Sequence, residues 1–116
     1  MRFVNLTPHA LNLVYEDGSE AVEVSEGHAT VESTPGALDV AVSEATGFPV
    51  YGPPIFGAVT GLPDPQEGVM YIVSGIVGSA LAGTRDDVLV PGTSPADNPR
   101  RNEARQVTGV TRLNRA

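Results

Sequence analysis

The chain has no cysteine, no lysine and no apolar run long enough to cross a bilayer. Without cysteine it cannot form disulfides, thiolate nucleophiles or cysteine-type zinc sites, and the redox compartment stays open. Without lysine, Schiff-base chemistry and the lysine of a phosphate-binding P-loop are excluded. All 7 basic residues are arginine. The opening Met1-Arg2-Phe3-Val4-Asn5 lacks the apolar segment of a signal peptide, so a cytoplasmic protein without a membrane partner is expected.

Positive charge is also scarce. The formal net charge is −7, which argues against nucleic acid as a partner, because that binding relies on neutralising phosphates. The charge is unevenly spread. Up to Val50 the only base is Arg2, set among acids such as Glu16, Glu20, Glu23 and Glu26. From Thr84 onward come Arg85, Arg100, Arg101, Arg105, Arg112 and Arg115, against Asp86, Asp87, Asp97 and Glu103. An acidic front and a mildly basic rear leave room for a local anion site.

A length of 116 residues gives one domain, 1–116, with a core that needs no metal, cofactor or disulfide. With Gly 13 and Pro 10, the chain is folded but loop-rich, short of the roughly 25–30% that marks disorder.

The stretch Gly61–Gly92 organises the rest. Val69–Val73 is a short apolar run with β-branched and aromatic residues, the pattern of a buried strand. Ile76, Val77, Ala80 and Leu81 then fall at helical spacing, with Ser74 as N-cap and Gly83 as C-terminal cap. Gly75, Gly78 and Ser79 leave the other face of that helix nearly bare, for a close strand or for a ligand. Val88–Val90 reads as the next strand. The helix is short for a crossover, so no parallel βαβ unit is inferred.

Elsewhere, strands are expected at Phe3–Leu6, Ala10–Tyr15, around Val22 and Val24, at His28–Val31, Val40–Val42, Ile55–Val59 and Val107–Leu113. Asp17-Gly18 marks a hairpin, and Thr93–Gln106 is a long polar loop. The expected fold is mainly β with one short helix (α+β), a small twisted sheet or partial barrel.

Asn5-Leu6-Thr7-Pro8-His9, Leu62-Pro63, Tyr71-Ile72-Val73-Ser74 and Arg85-Asp86-Asp87-Val88-Leu89-Val90-Pro91-Gly92 together resemble a family of small phage, prophage and bacterial proteins. The resemblance covers the N-terminus, the centre and the region up to Gly92, and supplies no catalytic residue. It implies a setting in which small β-rich proteins include inhibitors of bacterial defence, some of which sequester nucleotide signals.

Several candidate positions follow from the residues themselves. The amides after Ser74 and Gly75 could meet a phosphate at the helix N-terminus, or Ser74 could simply cap the helix. Arg85, Arg100 and Arg101 carry guanidinium forks suited to phosphate. Ion pairs of Arg85 with Asp86 or Asp87, and of Arg105 with Glu103, are the plainer alternative. Tyr71 or Tyr51 could stack on a base, and His9 could bond a ligand or brace its turn. His9, Ser74 and Asp86 lack the context of a catalytic triad, and Asp86-Asp87 lacks the spaced third ligand of a metal site.

The expected function is therefore non-enzymatic binding of a small anionic, nucleotide-like ligand in the bacterial host cytoplasm, at Ser74, Gly75, Arg85, Arg100, Arg101, Tyr71 and His9. A homo-oligomer is expected, since so small a domain has limited room for a deep pocket. The alternative is a protein-interaction module, an inhibitor of a host protein or a virion component. It would act through the acidic N-terminal half or an edge strand.

Overall fold

In the computed structural model, which describes residues 1–116, the chain folds in the order β1 (Arg2–Asn5), β2 (Leu11–Val14), β3 (Glu20–Glu23), β4 (Thr30–Thr34), α1 (Val40–Thr46), β5 (Ile55–Thr60), β6 (Val69–Ile72), α2 (Gly75–Ala80), β7 (Val88–Pro91), a 3-10 turn (Pro95–Asp97), β8 (Arg100–Arg101), β9 (Val107–Gly109) and β10 (Leu113–Arg115). The fold is mainly β. The strands form one four-stranded sheet, β1-β6-β7-β10, and three two-stranded ribbons, β2-β3, β4-β5 and β8-β9. None closes into a barrel.

The Val69–Val73 run supplies the centre of the core, with Tyr71, Ile72 and Val73 buried. Strand β6 lies parallel to β1 on one side and to β7 on the other, while β10 runs antiparallel to β7 at the edge. A parallel β6-α2-β7 unit is thus present, contrary to the expectation from helix length. The turns between Leu81 and Asp87 extend the connection enough for the chain to return, since what a crossover needs is about a dozen residues and not a long helix.

Two features hold α2 in place. Val77 is buried against the sheet with Val4, Leu6, Ala29, Tyr71, Val73 and Val88. A methyl group built on Gly78 would lie well inside van der Waals contact with Val90 Cγ2, so the bare face meets a strand there. Gly75 has open space around it. Gly83 adopts φ +73° in the turn after the helix, where only glycine is comfortable, but the helix itself ends at Leu81.

The Asn5–His9 segment ties the sheet to the β2-β3 hairpin. The fully buried Asn5 donates from Nδ2 to the carbonyls of His9 and Glu23, each at 2.9 Å. Its Oδ1 accepts from the Thr7 amide at 2.9 Å and the Thr7 hydroxyl at 2.6 Å. Every polar atom of that amide is satisfied, which makes the burial affordable.

Three sequence expectations change. Val40–Val42 is helical: Asp39 Oδ1 accepts from the Val42 amide at 3.0 Å, and Gly47 takes the left-handed C-cap at φ 72°. Those two caps outweigh the β-branched valines. The strand near His28–Val31 lies further on, at Thr30–Thr34, paired with β5. Val107–Leu113 is split into β9 and β10 around Val110–Arg112, and the polar loop before it holds the 3-10 turn and β8.

The shape is elongated, 53 × 39 × 21 Å. Its radius of gyration is 17.1 Å, against roughly 13 Å for a compact chain of this length. No helix is long and apolar enough to cross a membrane.

Candidate functional site

Arg85 and Tyr71 come together beside the amino end of β7, where Tyr71 pairs with Val88. Arg85 donates from Nε to Asp87 Oδ1 (2.9 Å) and from Nη2 to Asp87 Oδ2 (2.6 Å), a two-pronged pair. Its Nη1 donates to the Pro63 carbonyl at 2.9 Å, and its guanidinium carbon stands 5.8 Å from the centre of the Tyr71 ring. The hydrogen bonds from Arg85 hold the Asp87 carboxyl below its ordinary value, and the same bonds raise Arg85. Tyr71 is 2% exposed and donates to the Asp64 carbonyl at 3.3 Å. That ring is covered by its own chain and offers no face to a base. The arrangement fastens the Leu62–Pro65 loop to the sheet.

Beside it lies a polar cleft of about 570 Å³, lined by Thr84, Arg85, Asp86, Asp87 and Arg115. Arg115 Nη1 donates to the Asp86 carbonyl at 2.9 Å. Two arginines face two aspartates, so the cleft walls carry no clear surplus of either sign.

Ser74 and Gly75 lie elsewhere. They follow the carboxyl end of β6, and α2 carries the chain back toward the amino ends before Arg85 is reached. The two halves of the expected phosphate clamp are therefore at opposite ends of the crossover. Ser74 has the extended backbone of an N-cap, but its hydroxyl makes no capping bond. His9, after the neighbouring strand β1, braces its turn through its carbonyl, which accepts from Asn5 and from Thr7 Oγ1 at 2.9 Å; its ring makes no hydrogen bond within the chain.

Arg100 and Arg101 occupy a third place, on β8 beside the β2-β3 hairpin. Arg100 pairs with Glu20, whose carboxyl is held low first by Asn12 and then by Arg100. Arg101 donates to the carbonyls of Arg105 and Thr93, each at 3.0 Å. No carboxylate lies within pairing distance of Arg101 or Arg105, so the expected Arg105–Glu103 pair is not formed. Asp86 sits across the crossover from Ser74, so the triad has no geometry. No group of three or more His, Asp or Glu side chains gathers at one point to hold a metal ion.

What the sequence reading missed is the segment from Thr34 to Phe56. It projects from the β4-β5 ribbon as an arm that α1 crowns. Internally it is well bonded. Gly52 donates to the Ala37 carbonyl and Asp39 to that of Val50, both at 2.8 Å. The Ser43 hydroxyl accepts from the Val50 amide at 2.8 Å and donates to the Val50 carbonyl at 3.2 Å. Yet α1 buries none of its residues. Phe48 is 74% exposed, Ile55 62%, Tyr51 59% and Val40 57%, with Leu38 and Val42 also exposed.

The chain matches no family model, no curated protein and no solved structure.

A seven-residue helix does not persist in water by propensity, and a two-stranded ribbon is marginal by itself. An arm ordered by hydrogen bonds whose apolar side chains stay wet is incomplete as a folding unit. The signal was available in the spacing of Asp39 and Gly47 around Val40–Thr46, which marks a helix; its lack of a covering partner was not.

Proposed function

We propose that this protein is a non-enzymatic protein-interaction module whose working surface is the arm, residues 34–56. The observation that carries this reading is the exposed group of Leu38, Val40 and Phe48 around one shallow hollow, with Tyr51 bridged to Leu38, all held in ordered backbone and left uncovered. Contiguous exposed apolar side chains on an ordered element mark a contact surface. Burying each fully is worth about 1.5–3 kcal/mol, enough for a handful to carry a specific complex. In the phage-like setting that the Asn5–His9 and Arg85–Gly92 motifs resemble, the covered partner is a protein of the bacterial host or of the virion.

The test is capture from cells that naturally carry the gene. Wild-type protein and a Phe48→Asp variant with unchanged melting temperature are used as bait, and bound chains are identified by mass spectrometry. The variant loses the partner. Equal recovery by both proteins removes the arm from consideration.

A second reading, binding of a small nucleotide-like anion, is supported by the cleft between Arg85 and Arg115. It ranks lower because Asp86 and Asp87 share those walls. Here a nucleotide panel raises the melting temperature of the wild type, as a ligand of the native state must, and Arg115→Ala abolishes the rise. A flat response across the panel ends that reading.

A further inference from the structure

Building on the arm as the contact surface, we infer that its occupant is a cationic segment of a partner protein, an apolar side chain flanked by arginine or lysine. The apolar side chain seats against Leu38, Val40 and Phe48, and the base meets Glu44. An amphipathic segment laid into an apolar hollow is a recurrent way for one chain to hold another.

Glu44 sets the sign of that partner. The hollow, about 420 Å³, is walled by Leu38, Val40 and Phe48, and Ser43 and Glu44 are the only polar side chains in its lining. The Ser43 hydroxyl is already engaged with both the amide and the carbonyl of Val50. Glu44 forms no ion pair. A body seated against Leu38, Val40 and Phe48 also covers part of Glu44, which lines the same hollow. A carboxylate taken out of water without a partner is costly, so a surface that brings no base is a poor occupant.

Nothing within the molecule supplies that base. None occurs between Arg2 and Arg85. Arg2, Arg85, Arg100 and Arg112 pair with Glu26, Asp87, Glu20 and Asp97, all outside the arm. Arg101 and Arg115 donate to backbone carbonyls that are also outside it. The other charges nearby are acids: Asp39, which caps α1 through Oδ1, and Glu32, on β4 where the arm leaves the body. Neither is in an ion pair. A field of one sign around an apolar hollow draws a cationic segment and repels nucleic acid or an anionic lipid surface. A second copy of the chain, at net charge −7 and with those four arginines already paired, is the poorer match.

The experiment selects random peptides, displayed on yeast, for binding to the full chain, with Phe48→Ala as the counter-selecting protein. Phe48 and Glu44 are both exposed, and α1 buries no residue. Phe48→Ala, Glu44→Gln and Glu44→Lys therefore keep the wild-type melting temperature. The selected peptides carry leucine, phenylalanine or methionine beside arginine or lysine, and few acids. One of them, made synthetically, binds Phe48→Ala about 30-fold more weakly than wild type, as loss of a central contact predicts. It binds Glu44→Gln about tenfold more weakly, because its base is left covered without a partner. Selection on Glu44→Lys returns acidic sequences instead.

Selected peptides without a base, or binding indifferent to Glu44→Gln, overturn the proposal, as does the absence of any Phe48-dependent peptide. Sedimentation in which the wild type self-associates and Phe48→Ala does not overturns it too, since the occupant is then a second copy. A host chain captured through Phe48 that binds Glu44→Gln as well as wild type overturns the cationic occupant alone and leaves the interaction module standing. With neither a peptide nor a host chain held through Phe48, both fall.

Discussion

Replacing Gly78 by alanine sets local propensity against packing. On propensity, Gly78→Ala in a helix interior stabilises by about 1 kcal/mol. The structure predicts the reverse. The new methyl would sit inside contact distance of Val90 Cγ2, where carbon atoms need about 3.5–4.0 Å. Val90 is β-branched and held in β7, so it cannot swing aside. Overpacking of this kind costs about 1–3 kcal/mol, and a clash with a stiff partner belongs at the upper end.

The net effect is a destabilisation of about 2 kcal/mol, which lowers the melting temperature by roughly 8 °C for a chain of this size. Equilibrium urea unfolding measures it. Val90→Ala alone costs about 1–2 kcal/mol in lost burial, but it opens the space that the added methyl at position 78 needs. The double variant is therefore less destabilised than the sum of the singles, by about 3 kcal/mol of coupling, the clash relieved. A neutral or stabilising Gly78→Ala, or additive effects in the cycle, would refute the claim that α2 packs backbone to strand at this point.

Asp87→Asn removes the charge that Arg85 needs; the pair is 19% and 11% exposed, and breaking so covered a pair costs about 3 kcal/mol, read from denaturant midpoints. The pH dependence follows from the lowered Asp87 carboxyl: its contribution is complete above the unfolded value near ~3.9 and disappears as pH falls through the lower folded value. Asp87→Asn therefore flattens that acid limb of the stability curve, and an unchanged limb would mean the pair is weak in solution. Asn5→Ala strands the buried Thr7 amide and takes from the Glu23 carbonyl its side-chain donor, costing about 2 kcal/mol or more; amide exchange at Thr7 should rise toward that of an unprotected amide, and retained protection there would contradict the network.

The Asn5–His9 and Arg85–Gly92 motifs turn out to be joints of the scaffold. Asn5 links β1 to β3, and Arg85 links the Pro63 loop to β7. Their residue types point to phosphate chemistry when read singly, because a guanidinium serves an aspartate as well as an anion.

The sequence by itself determined the buried strand at Val69–Val73, the short helix after Ser74, the hairpin at Asp17-Gly18 and the mainly β character. Each rests on local pattern, capping or turn chemistry within a few residues. Only the tertiary structure decided that β1, β6 and β7 run parallel, that Ser74 and Arg85 stand at opposite ends of the crossover, and that Arg85 is already engaged by Asp87. Strand direction and the partner of a long side chain depend on residues far apart in sequence, and the burial of Phe48 or Val40 depends on what packs over them. Local pattern carries no record of either.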